Sequence, residues 1–244
     1  MNNKFLSIFD EKKPVLGMLH LKGNTDAEVI RHAYKETEDM INNGVSAVIV
    51  ENYYGTPAHV KAVLEDFHKN KVDFIYGVNL LDDDANNFRL ACEYDAAFLQ
   101  LDSVAGHLTP EEDVIFEKHL AQWRSEFAGA VIGGVRFKYQ PYKSGRTLEE
   151  DLIIGMQRCD AIAVTGEGTG MMTEVQKIKD FREIVKDFPL VVAAGVVPES
   201  CAEQFLYADA AIVGSYFKEN HKCEGDVVPE NVRALMKAVI ACRK

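Results

Sequence analysis

The stretch from Asp160 to Met172, DAIAVTGEGTGMM, sets three alternating glycines, Gly166, Gly168 and Gly170, and two threonines, Thr165 and Thr169, behind a short apolar run. Residues of this kind let backbone N–H groups close on a phosphate, either as a nest of donors or as a flexible cover over a ligand. Neither common phosphate loop fits. No Gly-Lys-Ser/Thr closes the run, and the glycines do not follow the Gly-x-Gly-x-x-Gly spacing that opens a dinucleotide-binding helix. Glu167, inside the same loop, has the chemistry of a general base or of a solvated surface carboxylate.

The other residues with chemical capacity also stand at the ends of apolar runs: His20, Glu51 with Asn52, Asn79, Gln100 with Asp102, Arg136 with Lys138, and then the small residues Gly195, Gly214 and Ser215. Glu51 and His20 are acid–base candidates, and a lone His is equally at home as a hydrogen-bonded structural residue. Lys138 suits three roles: a charge that clamps a phosphate or carboxylate, an amine that forms an imine with a carbonyl substrate, or one half of a structural salt bridge. Strand alternation puts Gly134, Arg136 and Lys138 on one face, so both cations are expected to point toward the ligand. Glu51, Asn79 and Asp102 offer oxygen ligands for Mg2+ beside a phosphate, but no tight spacing demands a metal, and no metal residues are assigned.

Eight short apolar runs must position these residues: VLGMLH, SAVIVEN, DFIYGVN, AAFLQLD, AVIGGVRFK, DAIAVT, LVVAAG and AAIVGS. They are apolar at nearly every residue, as parallel strands covered on both faces are. Helical spacing fills the gaps. In PAHVKAVLEDFHKN the residues Val60, Val63, Leu64 and Phe67 fall on one face behind Pro57, and Val232, Leu235, Met236 and Val239 repeat the pattern near the end of the chain. The acidic run LLDDDANN reads as a helix start, where Asp82, Asp83 and Asp84 complement the helix dipole. Eight strand–helix units with no linker predict an α/β fold, a single (β/α)8 TIM barrel of the phosphate-binding type over residues 1–244.

In that architecture ligands bind at the C-terminal ends of the strands. The small residues after the seventh and eighth strands, Gly195, Gly214 and Ser215, are then expected to form a phosphate corner, with a short helix from Ser215 aimed at it and the TGEGTG loop beside it.

Composition narrows the class. At 47% hydrophobic and 27% charged the chain can bury a sizeable core, which excludes disorder. A net charge of −11 repels phosphodiester backbones, so nucleic acid is not expected as a partner. No run reaches the length of a membrane span, and the N-terminus lacks the pattern of an export signal. Five dispersed cysteines, without a Cys-x-x-Cys pair, suit a reducing cytoplasm. A homo-oligomer is open, since barrels associate through their outer helices.

The strand-end motifs GMLHLKG (Gly17–Gly23), VEN (Val50–Asn52), GVNLL (Gly77–Leu81), VTGEGTG (Val164–Gly170) and IVGSYFK (Ile212–Lys218) resemble, in order and over nearly the whole chain, those of the BtpA/SgcQ family. The resemblance implies a phosphate-binding type of barrel. Its members are named for photosystem I assembly or associated with carbohydrate-related operons. Carried over by position, it marks His20, Glu51, Asn52, Asn79, Lys138, Thr165, Gly166, Thr169, Gly170, Gly195, Gly214 and Lys218. The chain departs from the family pattern at Gln100, where an Arg is usual, and at Gly134 and Tyr139, where an acid and a His are usual. Two expectations follow: an enzyme acting on a small phosphorylated metabolite such as a sugar phosphate, by isomerase, lyase or hydrolase chemistry, or a non-catalytic assembly factor or phosphometabolite sensor.

Overall fold

The computed structural model describes residues 3–243. Eight parallel strands close into a barrel in sequence order: β1 (Val15–His20), β2 (Ala47–Glu51), β3 (Tyr76–Asn79), β4 (Phe98–Ala105), β5 (Ala130–Val135), β6 (Ala161–Val164), β7 (Leu190–Val192) and β8 (Ala210–Val213). Each is followed by a helix: α1 (Asp26–Ile41), α2 (Pro57–Asn70), α3 (Asp84–Glu93), α4 (Pro110–Glu126), α5 (Leu148–Arg158), α6 (Val175–Val185), α7 (Pro198–Gln204) and α8 (Pro229–Cys242). β8 pairs back onto β1 through Val15–Ala211, Leu16–Ile212 and Gly17–Val213, so no strand edge is left open. The expected TIM barrel is the observed fold.

Helix starts follow local chemistry. Thr25, Thr56, Thr109 and Thr147 each accept a backbone N–H with the side chain, and Glu112 and Glu150 complete capping boxes at α4 and α5. Asp83 caps α3 in the same way, as the acidic run predicts.

Strand alternation divides the apolar residues into two layers. Val48, Val50, Leu99, Leu101, Ile162 and Val164 pack outward against the helices. Leu16, Met18, Ala47, Ile49, Phe98, Ile132, Ala163, Val191 and Ile212 fill the interior together with Phe5, whose ring meets Phe98 and Phe9 edge-on, and Phe9, tilted against Phe98. The N-terminal segment thus plugs the barrel. Gly77 makes room for the Phe98 ring, where an added Cβ would overlap it.

The parity of this interior layer also places the chemistry. One step beyond Met18, Ile49, Gly77 and Phe98, the inward positions are His20, Glu51, Asn79 and Gln100, all nearly buried at the C-terminal end. In β4 the pairing to β5 shifts register between Leu101 and Ala105, and this irregularity sits at Asp102. Bulges of this kind re-aim side chains beside functional sites.

Candidate functional site

A cavity of about 250 Å³ opens at the C-terminal ends of the strands, with His20, Glu51, Gln100, Asp102, Lys138, Gly170, Gly195, Gly214 and Ser215 in its lining. Its two halves differ chemically. The β1–β5 half carries the ionisable groups, and the β6–β8 half carries small residues.

The polar half is a hydrogen-bonded cluster. Asn79 Nδ2 donates to Glu51 Oε1 at 2.8 Å and to Asp102 Oδ1 at 3.3 Å, and Gln100 Nε2 donates to the same Asp102 oxygen at 3.0 Å. His20 Nε2 lies 3.4 Å from Glu51 Oε2. Beneath them the fully buried Asn87 ties β3 to β4, accepting from the Leu80 N–H and donating to the Gln100 carbonyl. Asn52 accepts from the Leu81 N–H at 2.8 Å and so braces the loops after β2 and β3 rather than lining the cavity.

Burial sets the protonation of this cluster. It pushes the Glu51 carboxyl up to about 8, reinforced by the charge of Asp102 and opposed by Lys138, the Asn79 amide and Lys218. Burial also raises Asp102, against hydrogen bonds from Gln100 and Asn79 that favour its ionised form. It holds His20 well below its ordinary value, with Lys218 and Lys138 adding to the effect. Glu51 at neutral pH is therefore a protonated acid beside a neutral imidazole, not half of an ion pair. Lys138, half-buried, reaches no carboxylate within 4.0 Å among the described residues. Its backbone N–H donates to Thr165 Oγ1 at 2.9 Å, which joins β5 to β6 at the cavity floor.

The other half is backbone-rich. Gly170 and Gly195 adopt positive φ of 75° and 63°. A Cβ at Gly195 would overlap the Met172 backbone, so the loops after β6 and β7 touch only because that side chain is absent. Among the described residues, the N–H groups of Gly170 and Gly195 donate to no protein acceptor. Gly214 approaches the His20 ring, and Ser215 faces Gly170. Where the sequence suggested a short helix from Ser215, the chain makes only the 3-10 turn Ser215–Phe217, too few aligned peptides for a helix-terminal field. The Thr169 N–H donates to the Tyr139 hydroxyl at 2.9 Å, which anchors the glycine loop across to β5. Gly166 passes against the carbonyls of Met171 and Met172, and Gly168 against Met171 and Tyr139.

Besides Asn52, three sequence-marked charged residues lie elsewhere. Arg136 does not share the cavity with Lys138. β5 ends at Val135, and Arg136 takes φ 47°, which breaks the alternation, so Phe137 and not Arg136 turns inward. The Arg136 guanidinium instead bonds Asp151 at 3.2 Å and stacks over Tyr142. Lys218 is fully buried and paired to Glu36 of α1. The Glu167 side chain is 87% exposed and lies 4.0 Å from Lys177, on the outer side of its loop. Tyr139, which the sequence marked only as standing where the family has a His, lines the cavity together with Phe137, Gln140 and Tyr53, none of which the sequence assigned to the site. For Phe137 and Gln140 the signal available was adjacency to Lys138. Among the described residues no group of three or more His, Cys, Asp or Glu side chains converges in metal-holding geometry, and no helix is long and apolar enough to cross a membrane.

Fold and cavity together define a TIM-barrel protein with a ligand-sized pocket at the C-terminal strand ends. The chain belongs to the BtpA family, whose model matches residues 11–241. Similar curated proteins include an uncharacterized protein of Methanocaldococcus jannaschii, 26% identical over 89% of this chain and 91% of that one. The photosystem I biogenesis protein BtpA of Synechocystis is 24% identical over 95% of this chain and 89% of its own length. Among solved structures, one described as native KDPGal superposes with a TM-score of 0.60 at 15% identity, covering 94% of this chain and 95% of the other. Phosphoribosyl anthranilate isomerase from Thermus thermophilus gives 0.60 at 16% identity, covering 94% and 100%. At such identities the likeness is one of fold.

Proposed function

We propose that this protein is an enzyme of a single barrel domain that acts on a small phosphorylated metabolite of the sugar phosphate type. The observation that carries the reading is the division of one cavity into two walls. The free N–H groups of Gly170 and Gly195, beside Ser215 and Gly214, suit a phosphate on one wall. Opposite stand Glu51, Asp102 and the unpaired Lys138, the groups that proton transfer or carbonyl polarisation requires. The fold does not choose the reaction, since barrels host many.

The test is a thermal-shift screen against inorganic phosphate, sugar phosphates and the matching bare sugars, with and without Mg2+. An ester at ~100 times its dissociation constant stabilises the native state by about 2.7 kcal/mol. Esters raising the melting temperature where bare sugars do not is the expected result. A flat response across the panel overturns the phosphate wall.

A second reading, a binding scaffold, draws on the name of the Synechocystis relative and on the exposed rim side chains Tyr54, Tyr139, Tyr142, Met171 and Met172. Exposed aromatic and Met clusters serve protein contacts. Under that reading rim substitutions abolish activity in cells while Glu51 and Lys138 variants retain it.

A further inference from the structure

The Asn79 amide donates through one nitrogen to two carboxyl groups, Glu51 and Asp102, that both line the cavity. Paired acids held this close cannot share one protonation state cheaply, and their surroundings decide which keeps the proton. Asp102 accepts from two amides, Gln100 and Asn79, at the register shift of β4. Glu51 accepts from one amide and faces the neutral ring of His20 from β1. The environments differ: Asp102 is only partly buried and its two amide donors favour the ionised form against the burial that raises it, whereas Glu51 is buried with one amide donor, where the neutral acid is favoured. Lys138, with no carboxylate within 4.0 Å among the described residues, is free to meet a developing negative charge between them.

We propose that Asp102 and Glu51 are a complementary base and acid, and that the reaction at this site moves a proton between adjacent carbons of a phosphorylated 2-hydroxy carbonyl compound, interconverting an aldose phosphate and a ketose phosphate. The proposal rests on the phosphate-ester reading above and adds to it the reaction and the carbonyl class.

The step balances without cofactor or oxidant. The Asp102 carboxylate takes the proton from the carbon that bears the hydroxyl. The released electron pair forms the carbon–carbon double bond, and the carbonyl π pair moves to oxygen, which takes the Glu51 proton. The product is a neutral enediol, with Asp102 protonated and Glu51 ionised. Glu51 then removes the proton of the neighbouring hydroxyl, the new carbonyl forms, and the double-bond pair takes the proton of Asp102 at the former carbonyl carbon. Both carboxyl groups return to their starting states. Two groups of opposite protonation in one pocket are what this sequence of transfers needs.

The experiment incubates the full-length protein in D2O with three- to six-carbon aldose phosphates and their ketose counterparts, and follows deuterium at the carbons beside the carbonyl by NMR and mass spectrometry. Thermal shifts are recorded on the same panel. Wild type is expected to incorporate deuterium into at least one ester that stabilises it. Asp102→Asn, which preserves shape and can still bond Gln100, is expected to lose about 100-fold or more of the exchange rate while keeping the ester shift. Exchange in wild type should also fall as pH rises past about 8, where Glu51 loses its proton. Stabilisation by esters without exchange overturns this proposal and leaves the phosphate reading standing. Exchange undiminished in a folded Asp102→Asn overturns the assignment of the base. Absence of any ester shift or exchange removes both readings.

Discussion

Lys218 Nζ donates to both carboxylate oxygens of Glu36, at 2.9 and 3.0 Å, and the lysine side chain is fully buried. The bond spans 182 residues and clamps the segment after β8 onto α1. A lysine in the strand-end motif IVGSYFK thus supports the site from behind. Its charge still reaches forward, helping to keep His20 neutral and drawing Glu51 downward against burial.

Removing one partner of such a pair leaves an uncompensated charge in the interior. Lys218→Met is expected to lower stability by about 3–5 kcal/mol, whereas the double variant Lys218→Met with Glu36→Leu recovers most of the loss. Urea denaturation of the two variants against wild type measures the difference.

Arg136 is expected to act on stability and not on ligand. Its bonds to Asp151 and to the Arg146 carbonyl lie outside the cavity. Arg136→Ala should cost about 1–3 kcal/mol, since buried Asp151 loses a charged donor while keeping Ser144. Ester-induced stabilisation should be unchanged, as the same thermal-shift panel run on the variant will show. Loss of the ester response would return Arg136 to the site.

The buried Glu51 carboxyl makes stability fall with rising pH. Its pKa in the fold, about 8, lies above the ordinary 4.5 of an unfolded Glu, so the native state binds the extra proton between those values. The contribution is complete below about 4.5 and is lost progressively as pH climbs to about 8, with a slope approaching ~1.4 kcal/mol per unit. The charge of Asp102 extends this range upward, and Lys138, the Asn79 amide and Lys218 draw it down. Glu51→Gln should flatten this part of the profile, measured as denaturation midpoints from pH 5 to 9.

Gly195→Ala combines a left-handed backbone with an overlap on Met172. The conformation alone costs about 1–2 kcal/mol, and the overlap must push the loops after β6 and β7 apart. We expect a lower melting temperature together with loss of the ester shift. Gly145→Ala shares the positive φ but meets nothing within 4 Å, so it should lose stability alone.

The sequence by itself determined the barrel. Eight apolar runs and the helical stripes between them are periodic, local properties, and the threonine and aspartate caps are set within four residues, so both are readable without knowing the fold. It also placed His20, Glu51 and Asn79 at strand ends, and strand parity carried them, with Gln100 inside β4, into one mouth. Tertiary structure decided what those residues do. One left-handed residue, Arg136, reversed the parity after β5 and exchanged a guanidinium for Phe137, which no pattern of residue types encodes. Lys218 and Lys138 look alike in sequence, yet one met Glu36 across the chain and the other met no carboxylate among the described residues. The bridge from Asn79 to Glu51 and Asp102 likewise joins three strands, and the proton on Glu51, held against the pull of the Asn79 amide, follows from burial that only the closed barrel creates.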